Sequence, residues 1–271
     1  MRIAILAPST PIGRGVAEQA TALAAEHFPM AELHFHPQCF LVHKHFAGDD
    51  AARLEALVSV ANDPGFNAVW FARGGYGSCR IAEQALARFT AVARDKSWLG
   101  YSDAGFLLGG LYRAGFRAIA HGPMVNDLRR DGGEQAVLRA LAWLTRRDVS
   151  ALEPGLDRGA PHAAFNITVL SQLLGTPLQP ELDGHVLLIE DVDEYMYRTD
   201  RAMFHITANP AIRRVAGIRL GRCSQVRPND PDFGESEEEV VRYWCDRAGI
   251  AYLGRAEIGH DAANRVVPFG S

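Results

Sequence analysis

Ser102 stands where a short apolar run, Trp98-Leu99-Gly100-Tyr101, gives way to a helical pattern that starts near Ala104-Gly105-Phe106. A strand that turns directly into a helix lifts the hydroxyl at the turn out of the sheet. It also sets the free N–H groups of the helix beside that hydroxyl. A glycine turn, Arg73-Gly74-Gly75-Tyr76-Gly77, ends the preceding apolar run, Asn67–Ala72. In a parallel sheet both turns lie at the carboxyl edge of the strands, where α/β proteins place their sites. A nucleophile beside bare backbone donors is the makeup of an acyl-transfer site. A serine at that position also serves as an ordinary helix N-cap.

A hydroxyl nucleophile needs a base, and the base needs an acid to orient it. Among ten histidines, His260 lies in Ile258-Gly259-His260-Asp261, where glycine permits an unusual backbone path. On its own it reads equally as a polar loop residue. Glu190 closes the apolar run Val186–Ile189, so its carboxylate sits at a sheet edge and needs a partner. An ion pair with Arg198 or Arg201 would satisfy it as well as a catalytic histidine. His34 and His36 share one strand face, with His43 and His45 nearby. No carboxylate at ligand spacing and no His-Glu-x-x-His accompany them, so no metal is expected. His121, before Gly122-Pro123, is expected to shape the pocket or its turn. Gly75-Tyr76-Gly77 lacks the third glycine of a dinucleotide fingerprint, since Arg80 stands there, and no Gly-Lys-Ser/Thr loop exists.

These residues need elements to hold them. Arg2–Ala7 is continuously apolar, as in a strand buried on both faces. Val16–Phe28 has helical spacing, Glu32–His36 reads as a strand, and Asp49 caps a helix to about Ala61. Strands follow at Asn67–Ala72, Trp98–Tyr101 and Arg117–Ala120, with helices at Ser78–Phe89 and Glu134–Leu144. The alternation predicts a parallel sheet with helices on both faces. Arg146–Pro161 loses apolar periodicity and reads as a boundary. The second half is expected to open with a helix near Ile167–Leu174. A strand at Val186–Ile189, a helix at Tyr197–Thr207, a strand at Gly217–Leu220 and a helix at Ser236–Ala248 follow, then short strands near Ala251–Leu253 and Arg265–Pro268. The expected fold class is α/β: an N-terminal parallel-sheet domain (1–148), a linker (149–162) and a smaller C-terminal α/β domain of mixed β character (163–271).

The chain has 271 residues, 48% hydrophobic and 22% charged, as in an ordinary soluble protein. Its net charge of −4 argues against a nucleic-acid-binding face. No apolar run approaches the roughly 18 residues of a membrane helix, and the first residues lack a signal-peptide core. Four cysteines without a Cys-x-x-Cys pair read as reduced thiols of a cytoplasmic protein.

Taken together, several motifs resemble the L,D-carboxypeptidases of peptidase family S66, which includes the microcin-immunity serine peptidases. They are Ala7-Pro8-Ser9, Arg73-Gly74-Gly75-Tyr76-Gly77, Gly100-Tyr101-Ser102-Asp103, His121-Gly122-Pro123, Leu188-Ile189-Glu190-Asp191, Asp200-Arg201 and Gly259-His260. They keep the family's order over nearly the whole chain. The resemblance implies a Ser-Glu-His triad at Ser102, Glu190 and His260, with the amides of Gly75 and Asp103 as the oxyanion hole. It implies a cytoplasmic homodimer that removes terminal D-Ala from murein tetrapeptide without metal or organic cofactor. A carboxypeptidase must also hold its substrate's free carboxylate, and Arg73, Arg198 and Arg201 are candidates. Ala164-Phe165-Asn166-Ile167 departs from the family's Gly-Gly-Asn-Leu and keeps only Asn166 as a substrate-binding candidate. A narrower pocket is the expected consequence. The alternatives are an immunity-type peptidase acting on a peptidyl or aminoacyl nucleotide, a non-catalytic module that binds murein fragments, and a sugar- or nucleotide-binding α/β protein.

Overall fold

The computed structural model describes residues 1–156 and 159–270, so Asp157 and Arg158 of the expected linker, and Ser271, lie outside the described residues. The first part runs β1 (Arg2–Leu6), α1 (Arg14–His27), β2 (Glu32–Phe35), α2 (Asp50–Asn62), β3 (Ala68–Phe71), α3 (Cys79–Arg88), α4 (Ala91–Arg94), β4 (Ser97–Gly100), α5 (Gly105–Arg113), β5 (Ile119–His121) and α6 (Gly133–Arg146). The second part runs β6 (His162–Asn166), α7 (Ile167–Leu173), β7 (Val186–Val192), α8 (Met196–Ala208), β8 (Gly217–Ser224), α9 (Glu237–Ala248), β9 (Tyr252–Arg255) and β10 (Val267–Pro268).

Two sheets result. The first has the order β10-β5-β4-β3-β1-β2, the second β6-β7-β8-β9. All pairs are parallel except β10 with β5. The mixed character expected of the second half therefore falls on the first sheet. Val267 pairs with His121 and Pro268 with Ala120, so the end of the chain returns to the first sheet. Parallel strands with both faces covered by helices must be apolar throughout, and β1, β3 and β4 are buried along almost their whole length.

The second half opens with a strand, β6, and not with the expected helix. All five of its residues are buried, but His-Ala-Ala-Phe-Asn carries no β-branched residue and no alternation to announce it. Helix α7 follows at once, capped by Asn166, whose side chain accepts from the Val169 N–H. Its register against α5 depends on small residues. A Cβ on Gly105 would lie 2.9 Å from Val169 Cγ1, and one on Gly109 2.8 Å from Leu173 Cδ2. The two sheets are thus joined by close helix contact and by β10, and one apolar core runs through both.

Candidate active site

Three loops meet at the carboxyl edge of the first sheet: those after β1, β3 and β4, which are neighbours there. Ser102 begins the third. Its φ is +59°, the left-handed region that L-residues seldom occupy, so the turn holds the serine in a strained, outward pose. The loops are laced together by buried polar groups. The Asp103 carboxylate accepts from the Ser9 hydroxyl and from the Ser78 N–H (2.9 Å). The Ser78 hydroxyl donates to the Asp103 carbonyl (2.6 Å), and Thr10 Oγ1 donates to the Gly74 carbonyl (2.6 Å). The glycines are sterically required. A Cβ on Gly74 would lie 2.8 Å from Ser102 Oγ, and Gly75 has φ +104° with Thr10 Cγ2 2.6 Å from its would-be Cβ. No hydrogen bond among the described residues takes the N–H of Gly75 or of Asp103.

The second sheet supplies the other groups. Glu190 lies on β7 where the register with β8 shifts between Ile189 and Asp191, and it is fully buried. Such an irregularity re-aims a side chain that regular alternation would send elsewhere. His260 sits on the loop before β10. That loop is tied to β8 by the Arg222 N–H to the Ile258 carbonyl (2.9 Å), and by Arg222 Nη2 to Asp261 Oδ1 (2.9 Å). His260 Nδ1 meets Glu190 Oε2 at 2.6 Å and His260 Nε2 meets Ser102 Oγ at 3.0 Å. The structure thus joins all three sequence candidates in one relay. Burial works against protonating His260, but the adjacent Glu190 carboxylate outweighs it, and the His260 pKa is raised from 6.5. Tyr101, under the histidine, presents its ring 4.7 Å from the imidazole.

Ser102 and His260 open into a cleft of about 520 Å³, lined also by Arg73, Asn126, Asp127, Arg130, Asp193, Arg198 and Arg227. Arg73 donates to the Pro11 carbonyl (3.0 Å). Arg198 pairs with Glu194 (3.5 Å), not with Glu190. Arg201 lines a neighbouring cavity with Ser171 and His205, its guanidinium 5.5 Å from the Tyr197 ring, and does not face Ser102. Asn166 lines the cavity that adjoins Ser102, with its Nδ2 donating to Asp191 (2.7 Å) and its Oδ1 capping α7. Ala164 and Phe165 lie in the core, Phe165 packed on Phe269 at 5.3 Å, so the expected narrowing of the cleft does not occur there. His121 is buried on β5, 5.5 Å from the Tyr101 ring, and burial drops its pKa to about 4. His34 stands 3.4 Å from Glu32, a same-face carboxylate that the sequence reading passed over, while His36 accepts from the Gln38 N–H. Asn126, Asp127, Arg130 and Arg227 were missed. Asn126 and Asp127 lie in a short 3-10 turn, Val125–Arg129, with Arg130 just after it and Arg227 beyond β8. None of these segments has apolar periodicity, and the run Asn126-Asp127-Leu128-Arg129-Arg130 is the local signal for the first three.

Residues 3–122 match the LD-carboxypeptidase N-terminal domain and residues 163–271 the LD-carboxypeptidase C-terminal domain. A putative carboxypeptidase of Synechocystis is 32% identical over 84% of this chain and 75% of its own. The murein tetrapeptide carboxypeptidase of Pseudomonas aeruginosa is 27% identical over 99% of this chain and 91% of its own. Among solved structures, muramoyltetrapeptide carboxypeptidase from Oxalobacter formigenes superposes with a TM-score of 0.82 at 22% identity, covering 100% of this chain and 93% of that one. MccF bound to glutamyl sulfamoyl guanosine gives 0.80 at 17% identity, covering 99% and 91%. At such identities these two likenesses establish the fold. The two domain matches, the 32% relative and the shared fold make this chain a member of the LD-carboxypeptidase family, the S66 peptidases.

Proposed function

We propose that the protein is a serine carboxypeptidase that releases the terminal D-Ala of murein tetrapeptide at its L,D bond, in cell-wall recycling. The observation that carries this reading is the relay Glu190–His260–Ser102, with contacts of 2.6 and 3.0 Å, at the mouth of an arginine-lined cleft. Ser102 Oγ attacks the carbonyl before the terminal residue while His260 Nε2 takes its proton. Glu190 keeps the other imidazole nitrogen protonated and stabilises the imidazolium. The N–H groups of Gly75 and Asp103 face the oxyanion. His260 then gives the proton to the leaving amine as the C–N bond breaks. Water, activated by the same imidazole, hydrolyses the Ser102 ester and restores the enzyme. The names of the Pseudomonas and Oxalobacter relatives support the substrate. In this reading the enzyme is a cytoplasmic homodimer.

An aminoacyl-nucleotide substrate would be favoured by a pocket aromatic able to stack on the base. In the cleft the aromatic residue is Tyr101, which is buried against His260. The half-exposed ring near Ser102 is Tyr76, in the adjoining cavity. The deciding experiment incubates the enzyme with murein tripeptide, tetrapeptide and pentapeptide, and with an aminoacyl adenylate. D-Ala is expected from the tetrapeptide, and Ser102→Ala should lower its release about a million-fold. Turnover of the adenylate alone would replace the reading.

A further inference from the structure

Chain-end specificity requires a cation that meets the substrate carboxylate, and the chemistry says where it must be. His260 protonates the leaving amine, and the carboxylate is only two bonds beyond that nitrogen. The clamp therefore belongs on the His260 side of the cleft, away from the oxyanion loop. Arg73 adjoins Gly74 and Gly75 on that loop and reaches toward Pro11. Arg198 is half exposed and paired with Glu194. Arg227 is held by Asp193 through two contacts of 2.8 and 2.6 Å, which satisfies its fork.

Arg130 differs from all three. Its Nε donates to Asp127 Oδ1 (3.0 Å), and no hydrogen bond among the described residues takes either Nη. Asp127 is itself buried and fully engaged, accepting from the Tyr101 hydroxyl (2.7 Å) and the Met124 N–H (2.8 Å). Tyr101 precedes the nucleophile and packs on the His260 ring. The guanidinium is thus tethered at one nitrogen to the frame that supports Ser102 and His260, with its outer pair left for a ligand. It lines the cleft with Ser102 and His260, joined to the histidine's side through Asp127 and Tyr101. A planar fork with two free nitrogens suits a carboxylate.

We infer that Arg130, positioned by Asp127 and Tyr101, clamps the free carboxylate of the leaving D-amino acid and so sets chain-end specificity. This rests on the carboxypeptidase reading above.

The test measures kcat/KM for murein tetrapeptide and for the same peptide with its terminal carboxylate amidated, in wild type, Arg130→Ala and Arg130→Lys. Wild type should prefer the acid by about a hundred-fold or more. Arg130→Ala should lose about a hundred-fold on the acid and little on the amide, so that the preference collapses, and added guanidinium ion should restore part of the acid rate. Arg130→Lys keeps the charge that balances Asp127 but loses the fork. It should fall between the two, and it carries the test if the alanine variant does not fold. An equal fall on both substrates would make Arg130 a mere brace for Asp127 and overturn the inference. So would an undiminished preference in the variants, or a wild type indifferent to amidation. Wild-type enzyme that releases D-Ala from no murein peptide would overturn the underlying reading instead.

Discussion

The two walls of the cleft are built in different ways. The nucleophile wall is made of backbone: Ser102 at φ +59°, Gly75 at φ +104°, and three loops stitched by Asp103, Ser78, Ser9 and Thr10. The relay wall is made of side chains: Glu190 fully buried and His260 nearly so, the two joined by a contact of 2.6 Å. One wall depends on shape, which tolerates no added atom. The other depends on charge, which tolerates no change of ionisation. The same fold therefore offers two separable ways to fail.

Charge on the relay wall gives the larger expected effect. Glu190→Gln keeps the volume but replaces the acceptor of the Nδ1 proton and removes the charge that stabilises the imidazolium. Turnover should fall about ten-thousand-fold with the circular dichroism spectrum unchanged. A loss under ten-fold would mean that the Glu190–His260 contact does not serve catalysis.

Shape on the nucleophile wall comes next. Gly74→Ala places a methyl 2.8 Å from Ser102 Oγ and 2.9 Å from its Cβ, so the serine or the loop must move. A displacement on that scale should cost about a hundred-fold in kcat, with about 1–3 kcal/mol of stability lost in denaturant unfolding. Full activity would show that the wall is softer than its packing suggests.

The pH profile sharpens the comparison with the smallest effect. The base must be neutral, and the His260 pKa is raised above 6.5 because Glu190 outweighs the burial that opposes protonation. The acid limb of kcat/KM should thus have its midpoint above pH 6.5, activity falling as pH drops through it. The residual activity of Glu190→Gln should show that limb moved to lower pH, since the carboxylate that outweighs burial is gone. Gly74→Ala should leave the midpoint in place. A limb that ignores Glu190 would separate the observed titration from His260.

Much of the first sheet was legible because its signals are local. Continuous apolar runs, the Asp49 cap and the glycine turn each act within a few residues, and the strands and α2 appear where those signals put them. The turn at Ser102 was legible for the same reason. Strand β6 was not, since an alanine-rich segment buried on both faces shows neither alternation nor β-branching. Nor was the docking of Val267–Pro268 on β5, which depends on which sheet edge is open once everything else has folded.

The sequence by itself pointed to the sheet edge, to the strand-to-helix turn at Ser102 and, through family motifs, to Ser102, Glu190 and His260 as candidates. It left open whether Glu190 would meet an arginine or a histidine. Only the tertiary structure decided that, by turning Arg198 toward Glu194 and carrying His260 across 158 residues of chain to Ser102. It also sent Asn166 to a helix cap and brought Arg130 into the cleft beside Asp127. The physical reason is range. Backbone preference is written in neighbouring residues, whereas the partner of a buried charge is chosen by whichever distant group the packed core brings within hydrogen-bond reach.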